Sequence, residues 1–147
     1  NAISAFTPET YYLQTDLTLL LVKALAHTNT RLIVVGGAGS LYVDEDHTVQ
    51  LYDTPDFPAD YLGLAKAQGK AIEILRKFST VDWTFFSPAP IFDAEGPESN
   101  DYTIGTEEVI VNKEGEPYIS YKTYAQILVD EINNHKFGRQ RFTAVQN

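Results

Sequence analysis

Apolar positions along this chain recur with a helical rhythm in three places, and short unbroken apolar runs lie between them. Between Thr7 and about His27, Leu13, Leu17, Leu20, Leu21, Ala24 and Leu25 follow the three-to-four spacing of one helix face. Thr7-Pro8-Glu9 reads as the start of that helix: a hydroxyl cap, proline at the first helical position, and an acid near the positive helix end. Asn29 reads as its stop. A longer helix is predicted from about Asp60 to Phe78, with Leu64, Ala67, Ala71, Ile74, Leu75 and Phe78 as its apolar stripe. A third runs from about Tyr121 to Ile132, capped by Ser120. The run Arg31-Leu-Ile-Val-Val-Gly36 predicts a strand buried on both faces, as in a parallel sheet. Trp83 to Ser87 predicts a second buried strand, closed by Pro88 and Pro90. Arg141 to Val145 predicts a last short one, and Asn1 to Phe6 reads as the tail of a buried strand.

The intervening chain carries turn signals. Leu41 to Val43 and Val49 to Tyr52 predict a small hairpin around Asp44-Glu45-Asp46-His47. Pro55 and Pro58 mark a loop. Short strands are expected at Tyr102 to Ile104 and Val109 to Val111, with Lys113-Glu-Gly115 as a turn. Strand, helix, strand, loop, helix, strand is the grammar of an α/β domain with an open parallel sheet and crossover helices. Such sheets take ligands at the carboxyl ends of their strands. Those ends are Ala2 to Phe6, Gly36 to Leu41 and Ser87 to Phe92.

Composition narrows the function. The 147 residues suit one domain with a real core, and 44% hydrophobic with 21% charged residues is ordinary for a globular protein. A net charge of −9 argues against nucleic acid and anionic membrane as partners, because phosphate calls for a basic footprint. A helix N-terminus can still hold the phosphates of a dinucleotide on an acidic protein. The absence of cysteine excludes disulfides, a thiol nucleophile and cysteine metal sites, and fits a reducing, cytoplasmic compartment. His27, His47 and His135 have no second histidine at ligand spacing, so no metal site is expected. The Asp44 to Asp46 run lacks a calcium-loop pattern and reads as a solvated turn.

Three segments in order carry a family likeness: Arg31-Leu-Ile-Val-Val-Gly-Gly-Ala-Gly-Ser-Leu41, Ala65-Lys-Ala-Gln-Gly-Lys70, and Asp82-Trp-Thr-Phe-Phe-Ser-Pro-Ala-Pro-Ile-Phe92. Together they resemble the NADH–flavin reductase-like group of NAD(P)-binding proteins, within the atypical short-chain dehydrogenase/reductase superfamily. Ile119-Ser120 with Tyr124-Ala125 and Asp130-Glu131 is similar to the group's C-terminal helix, and Arg141-Phe-Thr-Ala to its last strand. The resemblance implies an NAD(P)-binding Rossmann-like parallel sheet flanked by helices, with a small C-terminal extension on the substrate side. In the group, a first strand and a Gly-x-x-Gly-x-x-Gly turn precede everything seen here. The chain has no such turn, begins with Asn1 and contains no methionine. Residues 1–147 therefore read as the C-terminal two-thirds of a single domain.

The resemblance also implies site residues. Ala2, Ile3 and Ser4 would touch the cofactor ribose region, with plain core strand as the alternative. Gly36, Gly37 and Ala38 would line the nicotinamide end, with a ligand-free strand-to-loop turn as the alternative. Ser87, Pro88 and Ala89 would pack near the nicotinamide. Phe6, Ser40, Tyr61 and Phe92 would form the substrate pocket, Phe6 and Phe92 as walls for a flat ring. No catalytic residue is assigned. Tyr61 and Lys66 are one residue too far apart for Tyr-x-x-x-Lys, which on a helix turns the lysine by roughly 100°, and Gly36 or Gly37 stands where the usual serine would be. Without a proton relay, the site suits hydride transfer from NAD(P)H to FMN, FAD or a similar planar acceptor better than carbonyl reduction. A non-catalytic NAD(P)-binding regulator or redox sensor is the alternative. An isomerase or sugar-nucleotide enzyme is a weaker third, since it would want the tyrosine–lysine pair.

Overall fold

The computed structural model describes residues 1–3 and 5–147. In chain order its elements are α1 (Tyr12–Leu25), β1 (Arg31–Val35), α2 (Ala59–Arg76), β2 (Asp82–Ser87), β3 (Ile91–Asp93), β4 (Tyr102–Gly105), β5 (Tyr118–Ser120), α3 (Tyr121–Asn134) and β6 (Gln140–Gln146). The main sheet has the order β1-β2-β6-β4. β1, β2 and β6 are parallel, with Val35 opposite Phe86 and Ser87 opposite Thr143. β4 adds an antiparallel edge, Gly105 opposite Thr143. β3 and β5 form a separate parallel pair, Ile91 opposite Tyr118. This is an α/β fold with a Rossmann-like, mainly parallel sheet. The smaller piece expected toward the C-terminus is the stretch between β2 and α3, after which β6 returns to the middle of the sheet.

The sheet divides the core in two. Val22, Leu32, Val34, Leu75, Trp83 and Phe85 pack together on the α1–α2 side. Phe86, Ile119, Tyr124, Ile127, Phe142 and Ala144 pack on the α3 side. Phe85, Phe86 and Phe142 are fully buried or nearly so, each contributing about 2 kcal/mol by area removed from water. β2 is buried on both faces, which explains its unbroken apolar run. β1 departs from expectation: Leu32 and Val34 are buried, while Arg31, Ile33 and Val35 are half-buried.

Other expectations shift in detail. Thr7 to Tyr11 forms a turn, Tyr11 N–H donating to Thr7 O at 3.0 Å, and the regular helix starts only at Tyr12. The buried face of α1 is Gln14, Thr18 and Val22, one step around from the predicted leucine stripe. Leu20 is 62% exposed. The inward threonine is tolerated because its hydroxyl donates to Gln14 O at 2.6 Å. Asn1 to Phe6 contains no assigned strand among its described residues. Asn1 nevertheless makes both bonds of a parallel bridge, donating to Ile33 O at 2.6 Å and accepting from Val35 N–H at 2.9 Å. The Val109–Val111 strand is absent; Val109 N–H instead donates to Tyr42 O at 2.8 Å. The 41–52 arm is hairpin-like, with Val43 N–H donating to Val49 O, and Leu51 N–H to Leu41 O. Asp44 caps that arm through Thr48 and Val49, and the Thr48 hydroxyl first, then those backbone N–H groups, hold its carboxyl below the ordinary range.

Candidate functional site at the carboxyl edge

The parallel strands place their carboxyl ends side by side. Gly36 N–H donates to Phe86 O at 2.8 Å, so the β1–β2 ladder continues one step and sets Gly36 opposite Ser87. A side chain at Gly36 would strike the Phe85 ring, and one at Gly37 would strike the Gln68 amide of α2. Neither glycine has positive φ. Close approach, and not backbone torsion, is what glycine provides here. Gly37 and Ala38 are half-buried at the turn. Next to them Ser87, Pro88 and Ala89 are all buried. Ser87 is fully buried, and its Oγ has no hydrogen-bond partner among the described residues. A buried hydroxyl left unpaired costs about 1–3 kcal/mol, so it marks a place where a ligand group would be welcome.

The bridge at Asn1 carries the following residues toward this edge. Ala2 is exposed, Ile3 half-buried and Ala5 fully buried. Ser4 lies outside the described residues. Phe6 is 57% exposed. Across the edge, Phe92 of β3 is half-buried, its ring centroid 4.0 Å from Tyr121 and 5.0 Å from Tyr124. Tyr121, at the start of α3, is half-exposed beside it; its neighbourhood to Phe92 depends on the β3–β5 pairing, which carries no signal in the sequence.

Two expected pocket residues are placed differently. Tyr61 projects from the first turn of α2 and is 63% exposed, and Lys66 and Lys70 are exposed as well. Ser40 is buried, and its hydroxyl accepts from Arg141 Nη2 at 2.8 Å while its carbonyl accepts from Nη1 at 2.7 Å. Arg141 is the functional candidate that sequence reasoning missed. It comes from β6, is 1% exposed, and lies over the Phe85 ring at 5.8 Å. Among the described residues Glu107 is its one carboxylate neighbour within ion-pair distance, at 3.5 Å, and Glu107 is shared with Arg76 at 2.6 Å. Burial pushes the Arg141 guanidinium down to about 10. An arginine inside a predicted buried strand was the available signal. A polar cleft of about 270 Å³ lies between α2 and the 41–52 arm, lined by Tyr42, Gln50, Tyr52, Lys70, Glu73 and Arg76, and its Gln50 Nε2 donates to Ser40 O at 3.1 Å.

This edge brings together main chain, small side chains, a proline and one buried hydroxyl that is unpaired among the described residues. A parallel sheet with crossover helices and such an edge defines an NAD(P)-binding Rossmann-like domain. No family model matches the chain. It is 47% identical over 117 residues to the uncharacterised protein YwnB of Bacillus subtilis (strain 168), covering 80% of this chain and 55% of that protein, so it spans about half of that relative's length. The crystal structure of a "putative NADH-flavin reductase" from Streptococcus pneumoniae TIGR4 is 41% identical with a TM-score of 0.95, over 99% of this chain and 70% of that one. The structure of a "putative exported protein" from Burkholderia pseudomallei is 35% identical with a TM-score of 0.82, over 95% of this chain and 68% of that one. The chain belongs to the NADH–flavin reductase-like family of NAD(P)-binding, atypical short-chain dehydrogenases/reductases. Among the described residues no helix is long and apolar enough to cross a membrane.

Proposed function

We propose that this protein is an NAD(P)H-dependent reductase that passes hydride to a flavin or a similar planar small molecule. The observation that carries this reading is the make-up of the carboxyl edge, where Gly36, Gly37, Ala38, Ser87, Pro88 and Ala89 bring no ionisable side chain. Bound reduced nicotinamide supplies the hydride. Gly37, Ala38, Pro88 and Ala89 form a flat floor, and the Ser87 hydroxyl is free to donate to or accept from a carboxamide. Ile3 packs from the neighbouring segment. Phe6, and Phe92 with Tyr121 behind it, supply apolar walls for a flat acceptor. Tyr61, exposed and without a lysine at relay spacing, does not act as proton donor. A transfer between stacked rings calls for position first and can take its proton from water. The name of the Streptococcus relative agrees with this reading. Nucleic acid and membrane are not proposed as partners, and a cytoplasmic location is.

The test is oxidation of NADH and of NADPH, with and without FMN, by the protein from its complete gene. Flavin-dependent loss of reduced nicotinamide well above the uncatalysed rate is expected. Tight dinucleotide binding in calorimetry without any turnover would replace the reductase with a regulator or redox sensor.

A further inference from the structure

We propose that Arg141 is a positioning residue for the turn from Gly36 to Ser40, and through that turn for the nicotinamide end of the cofactor. The inference rests on the proposed cofactor site. The guanidinium grips Ser40 twice, at the carbonyl (2.7 Å) and the hydroxyl (2.8 Å), from a strand 101 residues further along. It also lies over Phe85, whose ring occupies the space a side chain at Gly36 would need. One group therefore fixes both ends of the turn: Gly36 through Phe85, and Ser40 directly.

Stability alone does not account for an arginine here. It is almost fully buried, its Nε has no partner, and its nearest carboxylate is shared with Arg76. Burying a cation on those terms costs free energy that a well-packed apolar residue would avoid. Its planar fork can address two acceptors on one residue at once, which lysine cannot do. The residues it orients carry no charge, so its influence on a ligand is geometric.

The experiment compares two ligands by calorimetry on the protein from its complete gene: the preferred dinucleotide, and the matching ADP-ribose fragment, which lacks nicotinamide. Arg141→Lys keeps the charge and loses the fork; Ser40→Ala removes only the Nη2 bond and is the milder change. Loss of charge-assisted bonds predicts that Arg141→Lys weakens the dinucleotide about tenfold or more. The ADP-ribose fragment should bind as it does to wild type. Ser40→Ala should show the same selectivity to a smaller extent. Equal weakening of both ligands, or unchanged binding of both, would overturn the positioning role while leaving the cofactor site standing. A wild-type protein that binds neither ligand would overturn the cofactor site and this inference together.

Discussion

Arg31 at the start of β1 and Glu131 in the last turns of α3 form a buried ion pair that ties strand to helix across 100 residues. The arginine also donates to Glu131 O at 2.9 Å and to Thr84 Oγ1 at 2.7 Å, and Thr84 donates to Phe137 O at 2.6 Å. The glutamate accepts from Lys136 and Phe137 N–H groups. Burial works against its ionisation, yet the Phe137 N–H, the Arg31 guanidinium and the Lys136 N–H together hold its carboxyl below the ordinary 4.5. A depressed carboxyl contributes stability that is full above pH 4.5 and is lost as pH falls through the folded-state value. Glu131→Gln should destabilise by about 3 kcal/mol at pH 7. Its urea midpoint should approach that of wild type in strong acid; a gap that stays constant down to pH 2 (about two units below the unfolded carboxyl) would refute the pair's role.

Gly36→Ala places a methyl group against the Phe85 ring, which is itself 1% exposed and lies under Arg141. Overpacking of this kind costs about 1–3 kcal/mol. Thermal unfolding of the single variant and of Gly36→Ala with Phe85→Leu tests the cause. The second change should recover part of the loss if the ring is the obstacle.

Ser87→Ala separates stability from binding. Removing an unpaired buried hydroxyl should leave the folded protein unchanged or stabilise it by about 1 kcal/mol. Under the proposed cofactor site it should also weaken dinucleotide binding. A variant that melts as wild type does and binds equally well would remove Ser87 from the site.

Tyr61→Phe should leave flavin-dependent turnover close to wild type, far from the ~100-fold loss that removal of a general acid brings. A loss of that size would make this exposed phenol a proton donor after all.

Tyr124→Phe tests the α3 side of the core. The phenol is buried, donates to Phe86 O at 2.8 Å, and is pushed well above its ordinary pKa by burial. Its ring stacks on Phe86 at 3.9 Å. Losing only the hydroxyl should cost about 0.5–1.5 kcal/mol, the net worth of one hydrogen bond, because the strand carbonyl keeps its bond from Gly36 N–H. Urea denaturation measures it.

Much of this architecture was legible in the sequence, for reasons that differ by element. β2 announced itself through an apolar run that is buried on both faces, and α3 through the Ser120 cap, whose hydroxyl accepts from Thr123 N–H at 3.1 Å. The Gly36 and Ser87 segments were legible because β1 and β2 are apolar strands followed at once by glycine or proline, whereas Asn1 to Phe6 forms no strand among its described residues. α1 was placed but turned wrongly, since its leucines flank a buried face carrying Gln14 and Thr18. β3 and β5 were missed: three residues each, both directly after a proline, their pairing set by partners distant in sequence. The Arg141–Ser40 contact was likewise invisible, because local pattern gives no hint of what a buried arginine will meet 101 residues away.

The strand order sets the timing of folding. Of the described strands of the main sheet, β6 comes latest in the chain, yet it belongs between β2 and β4. Until it arrives, β2 has an open flank and β4 has no strand to pair with in the main sheet. Arg141 arrives with β6, so the Gly36–Ser40 turn lacks its two guanidinium bonds before then. The nascent chain must carry two unfinished sheet edges until synthesis passes Gln146, and that interval is when it is most exposed to wrong partners.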